Sequence, residues 1–219
     1  QVSKGRIGVL ISGSGSNLQA LIDSFRGEEN GEIAVVISDR RDAFGLSRAA
    51  EAQIEGLYLP KKRGASREEY DETLAAALTE RDVEWVVCAG FMKILGTSFV
   101  QRWKNKIINI HPAILPSFPG MDAIKQAIEA GVRVTGATVH FVDEGTDTGP
   151  IIAQSALTVE HSDSVESLKA KVLATEHRLL PMALKWAVEG RLSVIDGKVC
   201  IANECANEAT IIEPADVSN

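Results

Sequence analysis

Ile7-Gly8-Val9-Leu10-Ile11-Ser12-Gly13-Ser14-Gly15-Ser16-Asn17-Leu18 runs from a continuous apolar segment through a glycine-rich turn into the start of a helical pattern. An apolar run without alternation suits a strand buried on both faces of a sheet. Asn17 to Phe25 then places Leu18, Leu21 and Ile22 at helical spacing. The unit recurs downstream, with Ile33 to Ser38 as a strand and Phe44 to Ala52 as a helix. Gly56 to Leu59 reads as a short strand, and Ser66-Arg67-Glu68-Glu69 is a capping box opening a helix that runs to about Glu80. Trp85 to Ala89 and Lys106 to Ile110 complete five strands whose connections need crossovers. Such alternation predicts an α/β, Rossmann-like, mostly parallel sheet with helices on both faces.

The second half changes character. Val134 to Phe141 and Ile151 to Leu157 are joined by a loop too short for a parallel crossover, so antiparallel strands are expected there. Ser164 to Glu189 is the longest helical pattern, with Val165, Leu168, Val172 and Leu179 on one stripe. Pro181 inside it predicts a kink or break near Leu180. Asp196-Gly197 between Val194-Ile195 and Lys198-Val199 marks a two-residue hairpin. Residues 1–202 are expected to form a single domain, and the acidic, turn-rich 203–219 a loosely ordered tail.

At 219 residues and 45% hydrophobic, the chain can bury a sizeable core. A net charge of -7 argues against a nucleic-acid surface, which needs a basic face. Cys88, Cys200 and Cys205 are odd in number and lack metal-site spacing, so they read as reduced thiols in a cytoplasmic protein. No apolar run reaches membrane-spanning length and no signal-peptide pattern is present. The start at Gln1 rather than Met reads as a trimmed chain or a piece of a longer polypeptide.

Two segments carry chemistry. In Ile108-Asn109-Ile110-His111-Pro112, strand alternation points Asn109 and His111 the same way, and Pro112 ends the strand. An amide beside an imidazole can bind an oxyanion and move a proton, although a core histidine bonded to a carbonyl is the plainer reading. The acidic loop Val142-Asp143-Glu144-Gly145-Thr146-Asp147-Thr148-Gly149-Pro150 offers Asp147 as a carboxylate to orient His111. The second segment is Ser12 to Leu18, whose glycines and helix start suit a phosphate, or else form only a tight turn capped by Ser16 or Asn17. A nicotinamide-dinucleotide oxidoreductase competes here, since Gly13-Ser14-Gly15 begins its fingerprint and Asp39 or Arg40-Arg41 follows the second strand. Leu18 at the sixth position opposes that reading. A non-enzymatic nucleotide-binding regulatory module would leave Asn109, His111 and Asp147 without a task.

Together with Ala89-Gly90-Phe91-Met92-Lys93-Ile94-Leu95 and Asp147-Thr148-Gly149-Pro150, these motifs make the chain, from about Arg6 to Leu192, resemble the folate-dependent formyltransferases. The phosphate-type loop resembles their glycinamide ribonucleotide branch in de novo purine biosynthesis; a related formyltransferase or hydrolase is the alternative within the group. The resemblance implies 10-formyltetrahydrofolate as co-substrate, no metal, and small-molecule substrates without nucleic acid or membrane. It leaves open a monomer, a homodimer or a segment of a multi-enzyme chain.

By that resemblance, Asn109, His111 and Asp147 would be catalytic, and Gly15, Ser16 and Asn17 would hold the substrate phosphate. Glu176 would meet its ribose hydroxyls; without the resemblance, Glu176 and His177 read as solvent-facing. Met92, Lys93, Ile94 and Leu95 would line a pteridine cleft with Asp143, Glu144, Gly145, Thr146 and Asp147, and Arg67 would lie near the folate's outer portion. Lys93 stands where the related motif more often has Arg, which puts its side-chain contact in doubt but not its backbone contacts.

Overall fold

The apolar run that opens the chain forms β1 (Gly5–Ile11) in the middle of an eight-stranded sheet. The structure, a computed structural model, describes residues 4–203 and 208–213. After β1 come α1 (Ser16–Phe25), β2 (Gly31–Ser38), α2 (Phe44–Glu51), β3 (Gly56–Tyr58), α3 (Arg67–Thr79), β4 (Trp85–Cys88), α4 (Thr97–Arg102) and β5 (Ile107–His111). These five strands are parallel, as expected. Next are α5 (Ala123–Ala130), β6 (Val134–Phe141) and β7 (Ile151–Thr158), which extend the sheet antiparallel from β5. Then follow α6 (Val165–Val188), β8 (Leu192–Ile195), β9 (Lys198–Ile201) and β10 (Thr210–Ile212). The sheet order is β10-β7-β6-β5-β4-β1-β2-β3.

Alternation along the strands separates two cores. Val9, Ile11, Ile108, Ile110 and Val139 pack with Leu18, Leu21, Leu179 and Leu184 of α1 and α6. Leu10, Ile37, Val86 and Ile107 pack on the other face with Leu74, Leu78 and Phe99 of α3 and α4. The Ser66 capping box opens α3, and Asp196 and Gly197 both take positive φ in the β8–β9 hairpin.

Three details depart from the sequence reading. α6 runs on through Pro181, so of the expected kink or break the break does not occur; fully buried Leu179, Leu180, Ala183 and Leu184 anchor the surrounding turn. α4 and α5 are six and eight residues long, too short for periodicity to reveal. Within the segment expected to be a loose tail, residues 210–212 form β10 on the edge of β7; Cys205 and the rest of 204–207 and 214–219 lie outside the described residues.

Candidate active site

β5 turns Ile108 and Ile110 into the α1–α6 core, which leaves Asn109 and His111 on the opposite face. In the antiparallel register, Asn109 lies opposite His140 and His111 opposite Thr138, so all four side chains share that face. Their partners come from two loops. Thr138 Oγ1 donates to the Ala113 carbonyl and accepts from the Leu115 amide, which holds the segment after β5 across the sheet. The β6–β7 loop brings Asp147 onto the same face. Gly149 allows that path, since a Cβ there would come 1.7 Å from the Phe141 carbonyl oxygen.

Asp147 Oδ2 lies 3.4 Å from His111 Nδ1, and its Oδ1 lies 3.6 Å from His140 Nε2. The Gly120 amide donates to Oδ2 at 2.7 Å. Burial by itself would raise the Asp147 carboxyl, but His140, the Gly120 amide and His111 outweigh it and hold the group below its usual range. His111 Nε2 is 2.7 Å from the Phe118 carbonyl, so both its ring nitrogens face oxygen acceptors. His140 Nδ1 donates to the Phe141 carbonyl at 2.8 Å, and its Nε2 lies 3.2 Å from the Asn109 side-chain nitrogen as well as facing Asp147. The expected Asn109, His111 and Asp147 are thus brought together. His140 was missed: alternation along β6 puts it on one face of that strand, but its place opposite Asn109 depends on the β5–β6 register.

The glycine-rich loop sits at the carboxyl end of β1, beside the switch from β4 to β2 in the strand order. Gly15, at φ 70, caps α1 without any side-chain capping bond, so neither Ser16 nor Asn17 is the cap. Asn17 Nδ2 donates instead to Glu176 Oε2 at 2.8 Å. Glu176 is buried, not solvent-facing, and burial pushes its pKa up to about 7. Arg48 of α2, another residue that sequence reasoning missed, donates to the Ser14 carbonyl and the Gln19 side chain beside this loop. Its charge and, above all, burial hold His177 below the usual histidine range.

In the loop after β4, Met92 and Ile94 are exposed while Leu95 is buried in the α3–α4 core. Lys93 Nζ pairs with Asp39 at 3.2 Å. Arg67 is exposed at the start of α3, with its Cδ close to Gly96 at the end of this loop. Asp143 accepts from the Gly145 amide and the Thr148 hydroxyl, Glu144 accepts from Gln101, and Thr146 is exposed. A cavity of about 610 Å³ lies between α4 and this loop, lined by Val100, Gln101, Val142, Asp143, Glu144 and Gly145 among others. The residues 92–95 do not line it.

Among the described residues, no group of three or more His, Cys, Asp or Glu side chains is placed to hold a metal ion, and no helix is long and apolar enough to cross a membrane. Cys88 is buried, and burial pushes its thiol up to about 12.

With an amide, two imidazoles and a carboxylate gathered on one face of the sheet at β5 and β6, the chain belongs to the formyl transferase family, whose model matches residues 5–184. Within that family it is similar to phosphoribosylglycinamide formyltransferase of Haemophilus influenzae, 40% identical over 93% of this chain and 99% of that one. The crystal structure of glycinamide ribonucleotide transformylase 1 from Symbiobacterium toebii superposes with a TM-score of 0.89 at 47% identity, covering 92% of this chain and 95% of that one. The trifunctional purine biosynthetic protein adenosine-3 of Chironomus tentans is 45% identical over 89% of this chain, which spans 14% of that longer protein.

Proposed function

We propose that the chain transfers the formyl group of 10-formyltetrahydrofolate to the amine of glycinamide ribonucleotide. The observation that carries this reading is the meeting of Asn109, His111 and Asp147 on one face of the sheet, in a chain whose first loop leaves the start of α1 without a side-chain cap. The amine attacks the formyl carbon, and the carbon–nitrogen bond forms as the carbonyl electrons move to oxygen. His111 Nε2 donates to that oxyanion in place of the Phe118 carbonyl, and the Asn109 amide adds a second donor. Asp147 faces the other nitrogen of His111 and stabilises the imidazolium. The amine's proton passes through water near Asp147 to the departing folate nitrogen as its bond to the formyl carbon breaks.

Uncapped amides of α1 and the residues 13–17 hold the phosphate, with Arg48 adding positive charge nearby. Glu176 accepts from the ribose hydroxyls. The pteridine lies between residues 91–95 and the 143–147 loop. Residues 1–202 act as one catalytic unit, alone or within a longer chain, in a soluble compartment.

The nicotinamide reading finds no support at its two diagnostic positions. Leu18 is fully buried where that fingerprint needs a small residue, and Asp39 is committed to Ser12 and Lys93. A formyl-transfer assay with both substrates, run beside a test of nicotinamide-cofactor binding, decides the matter. Dinucleotide binding without transfer would overturn the proposal.

A further inference from the structure

At the carboxyl ends of β1, β2 and β4, Ser12, Asp39 and the Met92–Lys93 pair form a linked set of contacts that formyl-transfer chemistry does not use. The Ser12 hydroxyl donates to Asp39 Oδ1 at 2.7 Å, and the Met92 amide donates to the same hydroxyl oxygen at 2.9 Å. The second carboxylate oxygen of Asp39 lies 3.2 Å from Lys93 Nζ. A backbone bond from the Ser12 amide to the Gly90 carbonyl, at 3.1 Å, joins the same two loops.

The Asp39 side chain is 4% exposed although it carries a charge. Burying a carboxylate is costly unless it is paired and hydrogen-bonded, and here one oxygen serves each loop. A carboxylate only accepts, so the Ser12 proton must point at Asp39. That orientation turns the hydroxyl's lone pairs toward the Met92 amide. Without the carboxylate the hydroxyl rotates freely, and the loop after β4 loses both its amide acceptor in a fixed orientation and its lysine partner.

We propose that Asp39 is a positioning residue that fixes residues 90–95 against residues 12–17, through Ser12 and Lys93. The inference rests on the formyl-transfer reading, in which one loop carries the phosphate-bearing substrate and the other borders the folate. Transfer requires the amine and the formyl carbon to meet at a set distance, so the separation of the two loops acts on the rate more than on either binding step. It also gives the Lys93 side chain a task outside the pteridine cleft.

Asp39→Ala tests this, with Asp39→Asn and Lys93→Met removing the ion pair while sparing an acceptor for Ser12. The first readout needs no substrate: amide exchange at Met92 should speed up by about tenfold or more in Asp39→Ala, while β-strand amides keep their protection. In kinetics, kcat should fall by about tenfold or more while the affinity for each substrate measured alone changes less than about threefold. Asp39→Asn and Lys93→Met should not multiply when combined, and Lys93→Arg should recover most of what Lys93→Met loses. Should Asp39→Ala not fold, the two milder variants carry both readouts. Unchanged Met92 exchange overturns the positioning role whatever the kinetics show, as does a loss of binary affinity equal to the loss of rate. A parent protein that transfers no formyl group overturns the functional reading instead, and the exchange measurement still decides the role of Asp39.

Discussion

Glu176→Gln should make the protein more stable at pH 8 and leave it unchanged at pH 4. The Glu176 side chain accepts from Asn17 at 2.8 Å and is 6% exposed. Its pKa is pushed from 4.5 up to about 7, chiefly by burial, with the Asn17 bond and the charge of Lys169 opposing. Between those values the folded protein holds a proton that the unfolded chain has released, so stability falls as pH rises through this window. Below it both states are protonated and the group contributes nothing; above it the full penalty of a buried carboxylate is present. The interval from 4.5 to about 7 corresponds to roughly 3 kcal/mol. Glutamine keeps an acceptor for Asn17 but cannot ionise. At pH 8 the variant should therefore gain roughly 6–12 °C in Tm for a chain of this size. Its KM for glycinamide ribonucleotide should rise by about tenfold, because an amide accepts a ribose hydroxyl less strongly than a carboxylate. Calorimetry at both pH values and steady-state kinetics measure the two effects. An equal stability difference at pH 4 and pH 8 would show that Glu176 does not titrate between them, and the reasoning would fail.

Asp147→Asn removes the charge facing His111 and should lower the single-turnover rate roughly 10²–10³-fold with little change in substrate affinity. Adding His111→Ala should cost far less than the product of the single effects, and multiplicative losses would mean that the two residues act independently. Asp147 is held below its usual range, so its contribution to stability is present above the unfolded value near pH 4 and is lost as pH falls through its lower folded value; the acid limb of a stability profile should be flatter in Asp147→Asn. Gly13→Asp, at a position where a Cβ would meet nothing within 4 Å, should fold and raise the KM for the phosphate-bearing substrate by at least about tenfold through like-charge repulsion; equal change for the folate would move the phosphate elsewhere. A folate analogue without a transferable group should slow hydrogen exchange in both 91–95 and 143–147, and protection confined to 13–17 would refute the cleft.

Alternation made most of the site legible. A period of two in β5 separated Asn109 and His111 from Ile108 and Ile110, and the structure keeps that separation across two cores. The same period in β6 carried His140, but register with β5 is a property of the pair, so His140 reads as one polar residue in an apolar run until the strands are aligned. Glu176 illustrates the opposite difficulty. One carboxylate on a long helix is normally solvated, and only the docking of α6 against α1 buries it beside Asn17. Likewise, α6 survives Pro181 through packing on the sheet, and β10 owes its existence to the open edge of β7 rather than to its own three residues. For Lys93 the motif suggests backbone contacts in the folate cleft, and its side chain turns to Asp39, a partner from another strand end that no local pattern could name.

On the proposed mechanism, one contact would let the site favour a transition state over a bound substrate. His111 Nε2 already donates to the Phe118 carbonyl at 2.7 Å. A planar formyl oxygen is a neutral acceptor much like that carbonyl, so exchanging one for the other gains little. An oxyanion is different, since a hydrogen bond to an ionised acceptor is roughly twice as strong as a neutral one. On the proposed mechanism, the Phe118 carbonyl therefore withholds the donor from the ground state and yields it as charge develops on oxygen. Binding energy at His111 then appears where it raises the rate, rather than where it merely tightens the folate. The backbone that delivers this carbonyl is held by Thr138, Gln154 and the Gly120–Asp147 bond, so the selectivity of the donor depends on the same loop that orients its charge partner.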